Sequence, residues 1–488
     1  MLRPNALAGL WALAFGVAHA GPEPLLMGAI QFQPCDLSLP ESGWIGAQCS
    51  RYSVAEDPDN PGGRRIELRL ALIPAASKKP LPDPVLFLAG GPGQSAVAAW
   101  PSIRAALGPV ARKRHILLVD QRGTGESNPL TCAIPDWTDP AVFSMAAART
   151  QARLCQARLA DRADTRFYTT GNYVRDLESV RRALGVAQFN LVGGSYGTRV
   201  ALEYLRRHAG AVRSVFIDSV VPPELALLQD HAVNLEQALR GIGERCSRDA
   251  ACKKKFGDVH QDLHALARRL AAHPQQVVLP DPTSHQPLTV PFNDVALLWV
   301  ARFFSYSPES ASLLPLLLRE AAQGRPQALL AQVVLLARKL PDQIAHGLEL
   351  SVICAEDADR LKARPEAEDT LMGNEVIGLL KAQCAQWPHG RAPADFNQPV
   401  VSDKPVLLLS GEFDPVTPPR YAQQVARTLS RSRALIAKGQ GHTPMAKGCM
   451  PRLLEKFFDT LDPVELDASC LEVLGDTPFF LGTEGPSP

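Results

Sequence analysis

The sequence has almost no charge of one sign to spare: 51 Lys and Arg stand against 50 Asp and Glu, leaving a formal +1. Such a chain offers no field to gather a polyanion, so nucleic acid is not an expected partner. It has no C-x-x-C pair, so its cysteines lack zinc-site spacing, and no G-x-x-x-x-G-K-[ST] phosphate loop. There is no internal repeat and no low-complexity tract. The apolar run Ala6–Ala18 is too short to span a bilayer comfortably, and no Cys follows it closely enough for a lipid anchor. What remains is an ordinary globular composition, 46% hydrophobic and 21% charged, over 488 residues. An α/β enzyme with an insertion reaches that length.

The first residues are a targeting segment. Arg3 supplies the basic start, Ala6–Ala18 the apolar stretch, and Ala18-His19-Ala20 an A-x-A cleavage site. Residues 1–20 are therefore expected to be a signal peptide, and the mature protein to be secreted or periplasmic and free of the membrane. Export gives meaning to the ten cysteines, because an even number in an oxidising compartment implies disulfides. They fall into five sequential couples, which predicts the bridges Cys35–Cys49, Cys132–Cys155, Cys246–Cys252, Cys354–Cys384 and Cys449–Cys470.

Hydrophobic patterning then divides the chain. Residues 21–60 are Pro/Gly-rich and expected to be irregular. Arg65–Ile73 alternates, as an antiparallel strand at the sheet edge would. Val85–Leu88, His115–Asp120, Phe189–Val192 and Ser214–Ile217 are continuous apolar runs fit for buried strands, separated by helical patterns. From Pro222 to about Pro399 the rhythm breaks: the region is mostly helical, with a hairpin predicted around Asp281-Pro282-Thr283. Strands resume at Val406–Ser410 and Ala434–Ala437. The expected architecture is a mostly parallel sheet covered by helices on both faces. Its first part is 21–221, a large and mostly helical cap is inserted at 222–399, and its second part is 400–488.

The chemistry-bearing motifs stand at the ends of those strands. Gly193-Gly194-Ser195-Tyr196-Gly197 follows an apolar strand and precedes a helical pattern, the context in which G-x-S-x-G exposes a nucleophilic serine on a sharp turn. A serine hydroxyl needs a base, and the base needs an orienting acid. Asp414 follows the strand ending at Ser410, and His442 follows the strand ending near Ala437. The chain order Ser195, Asp414, His442 is that of a hydrolase triad on an α/β sheet. Asp218, at the end of the preceding strand, is the rival acid. Gly90-Gly91-Pro92-Gly93 follows the strand Val85–Leu88, where an oxyanion loop belongs, with a Gly91–Pro92 bond suited to cis. The donors expected are the N–H groups of Gly91 and Tyr196, since Pro92 has none. Asp120-Gln121-Arg122-Gly123-Thr124-Gly125 is expected to support this loop through Arg122.

Together these motifs resemble the proline iminopeptidases, and more closely their exported relatives, the tripeptidyl aminopeptidases. The resemblance covers roughly residues 60–221 and 400–450 and is weaker in the cap. One departure is Ala89, where many members carry His before the two glycines. The resemblance implies an α/β-hydrolase fold and a serine exopeptidase acting on peptide amino termini, with a peptide or small acyl substrate and no metal or organic cofactor. An exported carboxylesterase with the same triad is the alternative. A non-catalytic binding protein of this fold would be expected to have lost a triad member, and this chain keeps all three. An exopeptidase must also hold a free ammonium. In Cys354-Ala355-Glu356-Asp357 an acidic pair sits beside a cysteine expected to be bridged, so Glu356, ahead of Asp357, is the candidate substrate-binding carboxylate; the alternative is that Asp357 caps the helix continuing through Leu361 and Glu356 is solvated near its start.

Overall fold

The computed structural model describes residues 24–39, 43–132, 144–339 and 343–485; the expected signal peptide lies outside them. The stretch expected to be irregular forms three strands instead: β1 (Leu25–Met27), β2 (Ile30–Leu39) and β3 (Gly43–Ala55). Ile30 and Phe32 turn inward between exposed Gln31 and Gln33, but Pro34 and two glycines interrupt the alternation and hid the strands. Then follow β4 (Arg65–Ile73), β5 (Val85–Leu88), β6 (Ile116–Val119), β7 (Phe189–Gly194) and β8 (Val212–Asp218). A separate hairpin holds β9 (Gln275–Pro280) and β10 (Pro287–Phe292), and β11 (Val406–Gly411) and β12 (Ser432–Ala437) come last.

Ten strands make one sheet in the order β1-β2-β3-β4-β6-β5-β7-β8-β11-β12. The part up to the β4–β6 pair is antiparallel, and the rest is parallel. β4 is antiparallel as expected, yet it lies inside the sheet between β3 and β6, because the first three strands take the edge. Successive side chains of a strand point to opposite faces. Those of β5 accordingly enter two cores, Leu86 and Leu88 on one side, Val85 and Phe87 on the other. Continuous burial on both faces is why the parallel strands carry unbroken apolar runs.

The insertion between β8 and β11 is not one body. Its first stretch has a core of its own, built on residues such as Leu235, Leu239, Phe292, Leu297 and Leu330. The helix His346–Glu356 instead joins the core under the sheet through Leu348, Val352 and Ile353. The start of that helix is tied to the loops at the sheet's end: Ala345 N–H donates to Gly93 O at 2.9 Å and Gly347 N–H to Leu130 O at 2.8 Å. All five expected cysteine couples are bonded, and no described cysteine is free. A bridge closing a loop of about 15 residues contributes roughly 3 kcal/mol in the chain-entropy model. No described helix is long and apolar enough to cross a membrane.

Candidate active site

The end of β7 makes a turn that only a particular sequence tolerates. Ser195 has φ 53° and ψ −123°, a strained conformation for a residue with a Cβ. Its N–H donates to Asp218 O at 2.9 Å, which pins the turn to β8. A Cβ on Gly197 would come within 2.1 Å of Leu88 O, and one on Gly193 within 2.5 Å of Gly197 O, so both glycines are obligatory. The Ser195 hydroxyl does not cap the helix Tyr196–Arg207 that it precedes, and so is left for other work.

Asp414 follows β11 and His442 follows β12, and the two meet. His442 Nδ1 lies 2.8 Å from Asp414 Oδ2 and 3.0 Å from Oδ1. The carboxylate is buried and held on every side. Val416 and Thr417 N–H both donate to Oδ1 at 2.8 Å; the Thr417 and Ser219 hydroxyls both donate to Oδ2 at 2.8 Å. Burial pushes its pKa up, but the His442 ring and these donors outweigh that and bring it down to about 2. With Nδ1 engaged, Nε2 is the ring nitrogen left to take a proton. The His442 N–H donates to Tyr306 O at 2.8 Å, and the Tyr306 ring packs edge-on against the imidazole. The rival acid, Asp218, is engaged elsewhere: its Oδ2 accepts from Met445 N–H at 2.8 Å. Deep burial, with the Asp414 charge adding to it, holds its pKa well above the carboxylate range.

Gly91 and Tyr196 line the same cavity as Ser195 and His442, and the Gly91–Pro92 bond is cis. Tyr196 opens its helix, where unpaired N–H groups and the macrodipole favour negative charge. Support for the glycine loop comes from Asp120 and not, as expected, from Arg122. Asp120 Oδ1 accepts from Ser95 Oγ at 2.6 Å and from Val97 N–H at 3.0 Å, holding the helix start after the loop. Arg122 is fully buried on another path: it pairs with Asp176 at 2.7 Å and donates to the carbonyls of Glu56 and Phe167.

The cavity encloses about 690 Å³, a size suited to a short peptide or a drug-sized ligand. Part of its wall comes from the insertion, through Trp299, Phe303 and Tyr306 and through His346, Glu349 and Ile353. The acidic pair expected to read the substrate does not line it. Glu356 is buried, accepting from Thr170 N–H at 2.7 Å and Thr170 Oγ1 at 2.9 Å. Thr170 Oγ1 lies in turn 2.6 Å from the Tyr196 hydroxyl. Burial raises the Glu356 carboxyl to about 8, beyond what the Arg199 charge restores. Asp357 is buried against Arg199 at 2.7 Å and also pairs with Arg360. The carboxylate that does reach the cavity is Glu349, two turns earlier, with Oε2 2.7 Å from His346 Nδ1. Partial burial opposes the charged form of His346, but Glu349 outweighs it and raises the ring's pKa. Glu349 and the Ser219 and Thr417 hydroxyls were not singled out from sequence, and the only available signal was their placement beside strand ends or on the cavity face.

Comparison with known proteins agrees with this fold. Residues 83–242 match the family model described as alpha/beta hydrolase fold, and residues 370–470 match the one described as TAP-like protein. The chain has the α/β-hydrolase fold, and the matches support a peptidase family of that fold. This hydrolase is 24% identical over 470 residues to Serine protease Hip1 of Mycobacterium tuberculosis, covering 87% of each chain. It is 30% identical over 229 residues to the Tripeptidyl aminopeptidase of Streptomyces coelicolor, covering 43% of this chain and 41% of that one. Carboxylesterase B of Mycobacterium tuberculosis is also similar, 26% identical over 521 residues and covering 94% and 95%.

Proposed function

We propose that this hydrolase is an exported serine aminopeptidase that releases residues or short peptides from peptide amino termini through an acyl-enzyme. The observation that carries the reading is the pairing of His442 with a buried, multiply held Asp414 in the cavity onto which the Ser195 turn opens. In the proposed cycle Ser195 Oγ attacks the scissile carbonyl and gives its proton to His442 Nε2. Asp414 fixes the ring tautomer and stabilises the imidazolium. The N–H groups of Gly91 and Tyr196 receive the developing oxyanion. His442 then protonates the leaving amine, and water, deprotonated by the same ring, releases the acyl group.

Glu349 takes the role first expected of Glu356. A carboxylate on the cavity wall can pair with the substrate ammonium, and His346 fixes its orientation. The aromatic and aliphatic wall suits apolar side chains of a peptide. Five disulfides among the described residues are in keeping with an oxidising compartment. The carboxylesterase reading draws on one of the similar proteins. The deciding experiment compares turnover of amino-acid and short-peptide anilides bearing a free amine, their N-acetylated forms, and a simple acyl ester. The free-amine anilides should be preferred over the acetylated ones by at least about 100-fold, the scale of a desolvated charge pair. Efficient ester cleavage with no such preference would refute the aminopeptidase reading.

A further inference from the structure

Away from the cavity, three side chains of the insertion converge. His260 and His264 stand four residues apart on the helix Val259–Ala272, so both rings project from one face. Glu236 comes from the adjacent helix His231–Arg248. The Nε2 atoms of both rings meet the same oxygen, Glu236 Oε1, at 2.6 and 2.9 Å. The other carboxylate oxygen is held by Leu371 N–H at 3.2 Å. None of the three lines the cavity around Ser195.

We propose that Glu236, His260 and His264 form a binding site for a divalent transition metal, with Zn²⁺ the best fit. Two imidazoles and one carboxylate are a recurrent zinc donor set, with a fourth position left for water. The three ligand atoms lie within 4.8 Å of one another. Tetrahedral zinc with bonds of about 2.0–2.1 Å spaces its donors roughly 3.3 Å apart. The two contacts to Oε1, at 2.6 and 2.9 Å, would open by roughly 0.7 and 0.4 Å to reach that spacing, and the two Nε2 atoms, within 4.8 Å of each other, would settle to it as well. Each ring would bind through Nε2, its proton moving to Nδ1, and no redox partner is needed. The side chains are 11–22% exposed, so an ion can enter and keep a water.

The backbone around the site is set in advance. A Cβ on Gly243 would meet His260 Cβ at 3.0 Å, so that glycine lets the two helices approach closely enough for the ligands to meet. The Cys246–Cys252 bridge ties the end of the Glu236 helix to the short helix Ala250–Phe256 that precedes the histidine helix. With no described thiol free, the donors are nitrogen and oxygen alone, which suits Zn²⁺ over softer ions. The stretch is His260-Gln261-Asp262-Leu263-His264, with Gln261 where an H-E-x-x-H peptidase carries its general base. The site is therefore a clamp, not a second hydrolytic centre. It would join the Glu236 helix, whose Asn234 donates to Val416 O at 2.7 Å beside Asp414, to the rest of the insertion.

The test is titration of the full, metal-stripped protein with ZnCl₂ against a competing chromophoric chelator, together with thermal melting. Wild type should bind one Zn²⁺ with a Kd of about 1 µM or tighter and melt higher in its presence. His260→Gln and His264→Gln keep a donor for Glu236 but lose the ligand atom. Each should melt like the wild-type apoprotein while binding at least about 100-fold more weakly and losing the zinc-induced shift. His285→Gln, on the exposed hairpin, and His442→Gln, in the cavity, should each retain the bound equivalent. The proposal is overturned if wild type holds no zinc at 10 µM protein (about tenfold over the expected Kd), or if the His260 and His264 variants bind it as tightly as wild type.

Discussion

The carboxyl edge of the sheet and the helix His346–Glu356 both supply acids to the neighbourhood of the cavity, yet only the first has a fixed address. At the sheet edge an acid is placed by where its strand stops. β11 ends at Gly411, and Asp414 lands beside His442 with five hydrogen-bonding groups from four residues around it. On the helix, placement depends on how far along the apolar face the cavity reaches. Glu349 and Glu356 are seven residues apart, almost the same face and roughly 10 Å along the axis. The first faces the cavity, while the second is covered by Thr170 and the Arg199 network. Periodicity assigns a side to a residue, but the depth at which that side stops being cavity is a property of the packed fold.

Four substitutions sharpen this contrast. Ser195→Ala should lower turnover by at least about 10⁴-fold and abolish fluorophosphonate labelling, leaving only binding and oxyanion stabilisation; persistent labelling would remove Ser195 from its role. Asp414→Asn should cost about 10⁴-fold in kcat by stabilising the wrong tautomer of His442, read from steady-state kinetics on any cleaved substrate. On the helix, Glu349→Gln should reduce kcat/KM on a free-amine anilide by on the order of 10²-fold while leaving an acyl ester nearly unchanged. Equal losses on both would make Glu349 a support for the site and not a reader of the ammonium.

The smallest effect belongs to Glu356→Gln, expected to cost less than about tenfold and equally on both substrates, because its contact with the reaction runs only through Thr170 and Tyr196. Its mark should appear in stability. The folded carboxyl is raised to about 8 from 4.5. The folded state therefore holds the extra proton between those values. That contribution is complete below about pH 4.5 and is lost as pH rises through about 8. Glutamine, which cannot ionise, should flatten the decline in unfolding free energy between pH 5 and pH 9 (roughly the window between the two pKa values). An unchanged slope in urea titrations would show that Glu356 is ionised in the native state.

The parallel half of the sheet was legible because continuous apolar runs such as Val406–Ser410 have no other comfortable place, and the motif residues follow those runs directly. Even the cysteine couples could be read, since each bridge closes a local loop. The first three strands were not, because Pro34, Gly43 and Gly46 look like loop residues until Gln48 and its neighbours pair across them. Arg122 was assigned to the wrong loop for a related reason: nothing near it in sequence announces Asp176. The His260 and His264 pair was not read from the sequence, because its meaning depends on Glu236, which arrives from another helix.

The bond from Ala345 N–H to Gly93 O joins the start of the Glu349 helix to the glycine loop beside Ser195. On the aminopeptidase reading, these are the two ends of a measuring device. One end grips the amino terminus and the other marks the bond to be cut, and the hydrogen bond between their backbones sets the span between them. The enzyme would then count residues by length and not by recognising each side chain. Moving the helix start by lengthening the segment before Ala345 should change which product is released, where a damaged triad changes only how fast.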